Sequence, residues 1–137
     1  MPTRRHQSRT VVMQTLFEVK SRASLDPTVV LTRNIADVGR ETIDPDFAYQ
    51  LLAGIMSHEK DIVDAISKDA PEWPLERMDP ITLCILTIGA YELLYEKAIP
   101  PAVIMNEAID TAKEFGSAES GKFVNGVLNA LAKKSRS

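Results

Sequence analysis

Asp79-Pro80-Ile81-Thr82-Leu83-Cys84-Ile85-Leu86-Thr87-Ile88-Gly89-Ala90-Tyr91-Glu92-Leu93-Leu94 sets the architecture of the chain. Asp-Pro is a helix start signal. The carboxylate accepts a hydrogen bond from a free N–H of the first turn, and proline supplies a helical φ where no donor is needed. From Ile81 to Leu94 the segment is apolar nearly all round, broken only by Thr82, Thr87 and Glu92. It is too short and too mixed to span a bilayer. A helix with no polar face must be covered by its neighbours, so the spacing predicts a central helix inside a helical protein.

The flanking sequence has the same character. Asp26-Pro27 and Asp44-Pro45 repeat the start signal, and Pro100-Pro101 opens another helix with Pro101 at its first position. Gly39 and Gly116 stand where helices should stop, as glycine accepts a left-handed cap. Apolar residues recur at helical spacing: Val12, Leu16 and Val19; Leu31, Ile35 and Val38; Phe47, Leu51 and Ile55; Ile62 and Ile66. Met105, Ala108, Ala112 and Phe115 are expected to face inward, as are Phe123, Val127 and Leu131 flanked by Val124 and Leu128. No segment alternates with period two. The fold class is therefore all-α, with about seven helices. The proline-punctuated run Asp69–Pro80 is the best internal boundary. It divides a single domain, residues 1–137, into helical halves of approximately 1–70 and 79–137 joined by 71–78. Neither half is large enough to be comfortable alone, so two packed subdomains are expected.

Composition narrows the chemistry. With 45% hydrophobic and 26% charged residues, the chain reads as a soluble globular protein. One cysteine, Cys84, allows no internal disulfide, and its place in the apolar helix predicts a buried structural thiol. His6 and His58 are the two histidines, too few for a Cys/His zinc site of standard spacing, and His58 near a helix end reads as a cap or surface residue. There is no glycine-rich phosphate loop and no Gly-x-Ser-x-Gly elbow, and the carboxylates are scattered over polar faces. The expectation is a protein that is no enzyme and has no cofactor and no metal. The N-terminal MPTRRHQSR has no apolar stretch behind its charges, so no signal peptide is expected and the location should be cytoplasmic.

The net charge of −3 conceals a strong asymmetry. Residues 1–22 carry Arg4, Arg5, Arg9, Lys20 and Arg22 against Glu18 alone, and residues 120–137 carry Lys122, Lys133, Lys134 and Arg136 with no acid. The remaining acids crowd the middle. Two outcomes are open: the basic ends converge into one patch on an acidic body, or they are two solvated termini. In the first helix Arg5, Arg9, Val12 and Leu16 fall within about 60° of one another. The stripe that packs inward becomes cationic one turn earlier, so the arginines should overhang the core edge. They could meet an anionic ligand there, or pair with carboxylates of the acidic body. Near the other end, Gly116-Ser-Ala-Glu119-Ser120-Gly-Lys122-Phe123 offers hydroxyls, free N–H groups, a lysine and an aromatic ring. Those groups suit phosphate contact with stacking on an unpaired base. Taken alone, they suit a plain helical connection better, with Phe123 as a first core residue.

The stretch Ile99-Pro100-Pro101 through Asn106-Glu107-Ala-Ile-Asp110, Lys113-Glu-Phe115-Gly116 and Lys122-Phe123-Val124-Asn125-Gly126-Val127-Leu128-Asn129 resembles the C-terminal signature of the NusB family, bacterial transcription antitermination factors. Arg5-x-x-Ser8-Arg9 followed by Gln14-Thr-Leu16-Phe17 resembles its arginine-bearing first helix, and Ile85 to Leu93 its central helix. Residues 20–45 match least. The resemblance implies an all-helical fold of two subdomains without catalytic activity. It implies binding of boxA, a short single-stranded element of nascent RNA, notably in ribosomal RNA leaders. It also implies a heterodimer with the ribosomal protein NusE, and assembly with other Nus factors on RNA polymerase. Carried over by position, the RNA-binding residues are Arg5, Arg9, Glu119, Ser120, Lys122 and Phe123, the two places that charge and helix geometry had marked. Arg4 joins them on charge alone. His6 and Gln7 stand where many members carry further arginines, and Thr87 where arginine is common. Thr82 lies in the region implied to face NusE, where some members carry an acid, and it is the one partner-facing candidate. Asn106 and Glu107, on a polar helix face, are not assigned to RNA, and a structural or capping role suits them at least as well. The alternative is a non-catalytic helical protein-interaction module that does not touch RNA.

Overall fold

In the computed structural model, which describes residues 3–71 and 78–136, the three Asp-Pro signals each open a helix. Asp26 accepts hydrogen bonds from the N–H groups of Thr28 and Val29, Asp44 from that of Phe47, and Asp79 from that of Thr82. Among the described residues the chain forms α1 (Arg4–Ser21), α2 (Pro27–Val38), a 3₁₀ turn (Arg40–Thr42), α3 (Pro45–Ser57), α4 (Glu59–Asp69), α5 (Pro80–Tyr95), α6 (Pro101–Phe115) and α7 (Ala118–Ser135). The all-α expectation of about seven helices holds. None of these helices is long and apolar enough to cross a membrane.

Two compact units emerge, Met1–Ser57 and His58–Ser137. The division falls one helix earlier than the proline-rich boundary suggested, because α4 packs on α5 and α7. Most of the expected joining segment, residues 72–77, lies outside the described residues. In the first unit α1 packs against α2 and α3, around Val12, Met13, Leu31, Ile35, Ile43 and Leu52. A polar seam adds to it: Arg33 pairs with Glu18, and Asn34 Nδ2 donates to Glu18 Oε1 and Thr15 Oγ1 at 3.1 Å. The Arg33 hydrogen bond holds the Glu18 carboxyl below its usual range.

In the second unit α5 touches α4, α6 and α7 and is buried from Thr82 to Leu86 and from Ile88 to Leu93, Cys84 included. Gly89 lets α7 approach: a Cβ there would lie 2.7 Å from Leu128 Cδ1. The last carbonyls of a helix lack intrahelical donors. Arg136 meets carbonyls at the end of α5 and in the turn that follows it. Its Nε donates to Leu93 O at 2.8 Å and its terminal nitrogens to Glu92 O, Glu96 O and Ile99 O at 3.0–3.2 Å. His58, which makes no side-chain cap, instead stacks on Tyr95 with ring centroids 3.9 Å apart.

Several apolar residues sit elsewhere than their spacing suggested. Val38 and Phe115 are exposed, and Leu16, Val19 and Met105 are only half-buried. Ser8, Thr15 and Thr111 are buried in α1 and α6, each donating its hydroxyl to the carbonyl four residues earlier. That bond satisfies the polar atom, so the buried face rotates towards small hydroxyl residues. Gly39 ends α2 at φ +95°, but Gly116 has φ −134°. Glycine at 116 answers crowding rather than a left-handed turn, as a Cβ would lie 2.9 Å from both Ala112 O and Ser120 Oγ.

Two outcomes follow for the second unit. Arg136→Ala should lower unfolding free energy by about 1–3 kcal/mol in urea titrations at unchanged m-value, as several carbonyls lose a charged donor. Burial and the hydrogen bond to Glu96 push the Tyr91 hydroxyl up to about 12. An unfolded tyrosine ionises near pH 10, so folding favours the protonated form. That contribution is complete below about pH 10 and is lost as pH rises towards 12. Thermal melts should show stability falling across that window, and Tyr91→Phe should flatten the fall.

Candidate nucleic-acid interface

The residues picked out by charge and helix geometry lie in two groups, one in each unit. Thr3 caps α1 by accepting from His6 N at 2.9 Å, and the first turn that follows holds Arg4 and Arg5 with no acid. Cations at this end oppose the helix dipole, by roughly 0.3–1 kcal/mol each. The chain compensates by laying residues 43–47 against α1. Arg4 donates from Nε and Nη2 to Ile43 O at 2.9 and 2.6 Å. The buried Ser8 hydroxyl donates to Arg4 O at 2.7 Å and accepts from Asp44 N at 2.8 Å. Asp44 Oδ1 in turn accepts from Phe47 N at 3.2 Å, fixing the first turn of α3.

Phe47 thereby comes under the arginines. The Arg5 guanidinium lies 4.6 Å from its ring centroid and that of Arg9 lies 5.0 Å away. Arg5 is exposed, as expected of an overhanging helix. Arg9 is not: only 6% of it reaches solvent. Arg4 is exposed but committed to Ile43. Helical periodicity gave no sign of Phe47's role. The one available signal was an aromatic residue three positions after a capping aspartate.

In the second unit the start of α7 is set by Ser117, whose hydroxyl accepts from Ser120 N at 3.2 Å. Glu119 and Lys122 are exposed, and Ser120 and Phe123 are half-buried. Phe123 borders two recesses. One, of about 310 Å³, lies towards the start of α7 and is lined by Asp79, Thr82, Ser117, Glu119 and Ser120 among others. The other, of about 340 Å³, lies further along α7 and is lined by Lys122, Gly126, Val127 and the Asp69–Pro71 stretch. An aromatic ring between recesses, a lysine beside it and hydroxyl and carboxylate acceptors around it can stack a base, contact phosphate and read base edges.

Thr82 and Asp69 line these recesses from the ends of α5 and α4. Thr82 is 5% exposed, and both its hydroxyl and its N–H donate to Asp79 Oδ2 at 3.0 Å. It forms a recess wall rather than an outward-facing contact. Asp69, read from the sequence only as the edge of the proline-rich boundary, buries its side chain at the end of α4, where its charge opposes the helix dipole. Its Oδ1 pairs with Lys134, while Oδ2 is, among the described residues, the buried side-chain oxygen or nitrogen with no hydrogen bond.

Comparison with known proteins gives a consistent result. The NusB family profile matches residues 6–133. A transcription antitermination protein NusB of Oleidesulfovibrio alaskensis is 34% identical over 134 residues, spanning 94% of this chain and 87% of its own. The solved NusB of T. maritima superposes with a TM-score of 0.87 at 35% identity, covering 100% of this chain and 96% of that one. A chain of a structure of antitermination factors NusB and NusE in complex with double-stranded RNA shares the fold, with a TM-score of 0.83 at 22% identity over 94% of this chain and 96% of that one.

The α1–α3 junction is directly testable. Ser8→Ala leaves the Asp44 N–H without its acceptor in a buried setting. It should cost about 1–3 kcal/mol in chemical denaturation, whereas Ser8→Thr should restore part of the loss by keeping the hydroxyl.

Proposed function

Because this chain belongs to the NusB family, we propose that it is a transcription antitermination factor that binds boxA-type single-stranded RNA of nascent transcripts, notably ribosomal RNA leaders. The observation that carries this reading is Phe123 between two recesses, with Lys122 at its side on the first turns of α7. A ring with open space on its flanks and a cation one residue away suits a splayed single strand far better than a duplex groove.

The roles follow from placement. Arg5 and Lys122, both exposed, take phosphates. Arg9 and Arg4 add positive charge from positions fixed by α3 and by Ile43. Phe123 stacks on a base, and Glu119 and Ser120 meet base edges. The two units together serve as one RNA-binding domain over residues 1–137. The protein acts by binding, with no catalysis, cofactor or metal, in the cytoplasm where transcripts emerge. NusE is its heterodimer partner, with other Nus factors and RNA polymerase in the assembled complex. A chain of the same fold solved with NusE and double-stranded RNA supports NusE and RNA as partners. So does charge, since the acidic middle of this chain complements a basic ribosomal protein. Thr82, in the wall of the recess beside Phe123, is kept as the candidate on the NusE-facing side.

The test is titration of labelled boxA RNA and a scrambled control, with and without NusE, across a salt series. Selective binding that strengthens with NusE is expected. Lys122→Ala should weaken it about tenfold and lower the salt slope by about 0.7, the loss of one phosphate contact on a single strand. NusE binding without any selective RNA binding would instead make the protein a helical protein-interaction module.

A further inference from the structure

Gly121 is buried where α7 meets α6, and it brings no side chain to that contact. A Cβ there would lie 3.4 Å from Lys113 Cγ, 3.6 Å from Lys113 Cε and 3.7 Å from Ile109 Cγ2. The methylene stem of Lys113 therefore runs across the bare backbone of α7, while the residue as a whole stays exposed. A lysine can cover apolar surface in this way and keep its ammonium in water. Among the described residues that ammonium makes no hydrogen bond and no ion pair.

Successive residues of α7 step round the helix by about 100°. Gly121 faces α6, Lys122 is exposed and Phe123 borders the recesses, so the three follow one another around the first turns. Lys113 fills the place that glycine leaves open: reaching over from α6, it sets a second cation on the side of Lys122 away from Phe123. A strand with a base beside Phe123 and a phosphate on Lys122 would run on around α7 towards it. We infer that Lys113 is a further phosphate-binding residue, which with Lys122 carries the RNA backbone from α7 to α6. The inference rests on the RNA-binding function given above and adds to it a contact that carries no sequence information. Because the stem is already packed on Gly121, less side-chain freedom is lost when the phosphate binds.

Lys113→Met separates charge from packing, as methionine keeps an unbranched stem over Gly121 and loses the ammonium. It is titrated beside Lys113→Arg and Lys133→Met, the last an exposed position at the far end of α7. The ligands are boxA RNA and scrambled single-stranded RNA, with NusE present, over a salt series. Lys113→Met should weaken both RNAs about fivefold and lower the salt slope by about 0.7. Lys113→Arg keeps the charge and should stay within about twofold of the parent at unchanged slope. Lys133→Met removes the same net charge at a distance and should also stay within about twofold. NusE affinity without RNA should be the same for all four proteins, and circular dichroism with melting confirms that folded proteins are compared. If Lys113→Met binds RNA like the parent, or no more weakly than Lys133→Met, the phosphate contact is overturned while RNA binding stands. If Lys113→Met weakens NusE binding in the absence of RNA, Lys113 belongs to the protein interface and the phosphate contact is equally overturned. If the parent binds neither RNA, the RNA-binding function falls, and this inference with it.

Discussion

A helix without a polar face governs the second unit. From Thr82 to Leu93, α5 is buried apart from the half-buried Thr87, so it requires neighbours on every side and partners for both of its ends. Asp79 satisfies the first turn and Arg136 the last carbonyls. Both solutions bear on α7. Arg136 pins its C-terminal end, and Leu128 against Gly89 sets how closely its middle approaches. With its C-terminal end and middle held, the first turns of α7 have a fixed height above α5. They carry Ser117, Glu119, Ser120, Lys122 and Phe123. The recesses beside Phe123 are walled in part by the cap of α5 and the end of α4, so the candidate site is a by-product of how the buried helix is covered.

The first unit solves a related problem with polar groups. Cations at the start of α1 and the chain turn before α3 each need partners, and they supply one another through Arg4, Ser8 and Asp44. The acceptors that Arg4 and the Asp44 N–H find there, the Ile43 carbonyl and the Ser8 hydroxyl, are neutral.

Much of this was legible in the sequence. The Asp-Pro caps, the apolar central helix, the buried Cys84 and the exposed Arg5 and Lys122 all follow from residue type and spacing. What escaped has two physical causes. Helical periodicity ranks residues by apolarity, whereas Ser8, Thr15 and Thr111 bury well because the preceding turn offers their hydroxyls a carbonyl. They displaced Leu16 and Met105 from full burial. The other cause is sequence distance. Arg4 meets Ile43, and Phe47 meets Arg5 and Arg9, across about forty residues that carry no local record of the pairing. Asp69 escaped similarly, since its partner Lys134 lies in α7.

Photo-crosslinking would locate the RNA on the protein most directly. A short boxA RNA carrying 4-thiouridine at successive positions would be irradiated in complex with this chain and NusE, and the linked peptides identified by mass spectrometry. Cross-links should fall on the peptide spanning Arg4–Arg9 and on that spanning Ser117–Phe123. Cross-links confined to α2 or α6, or found on NusE alone, would contradict the assignment of RNA contacts to the start of α1 and to the start of α7.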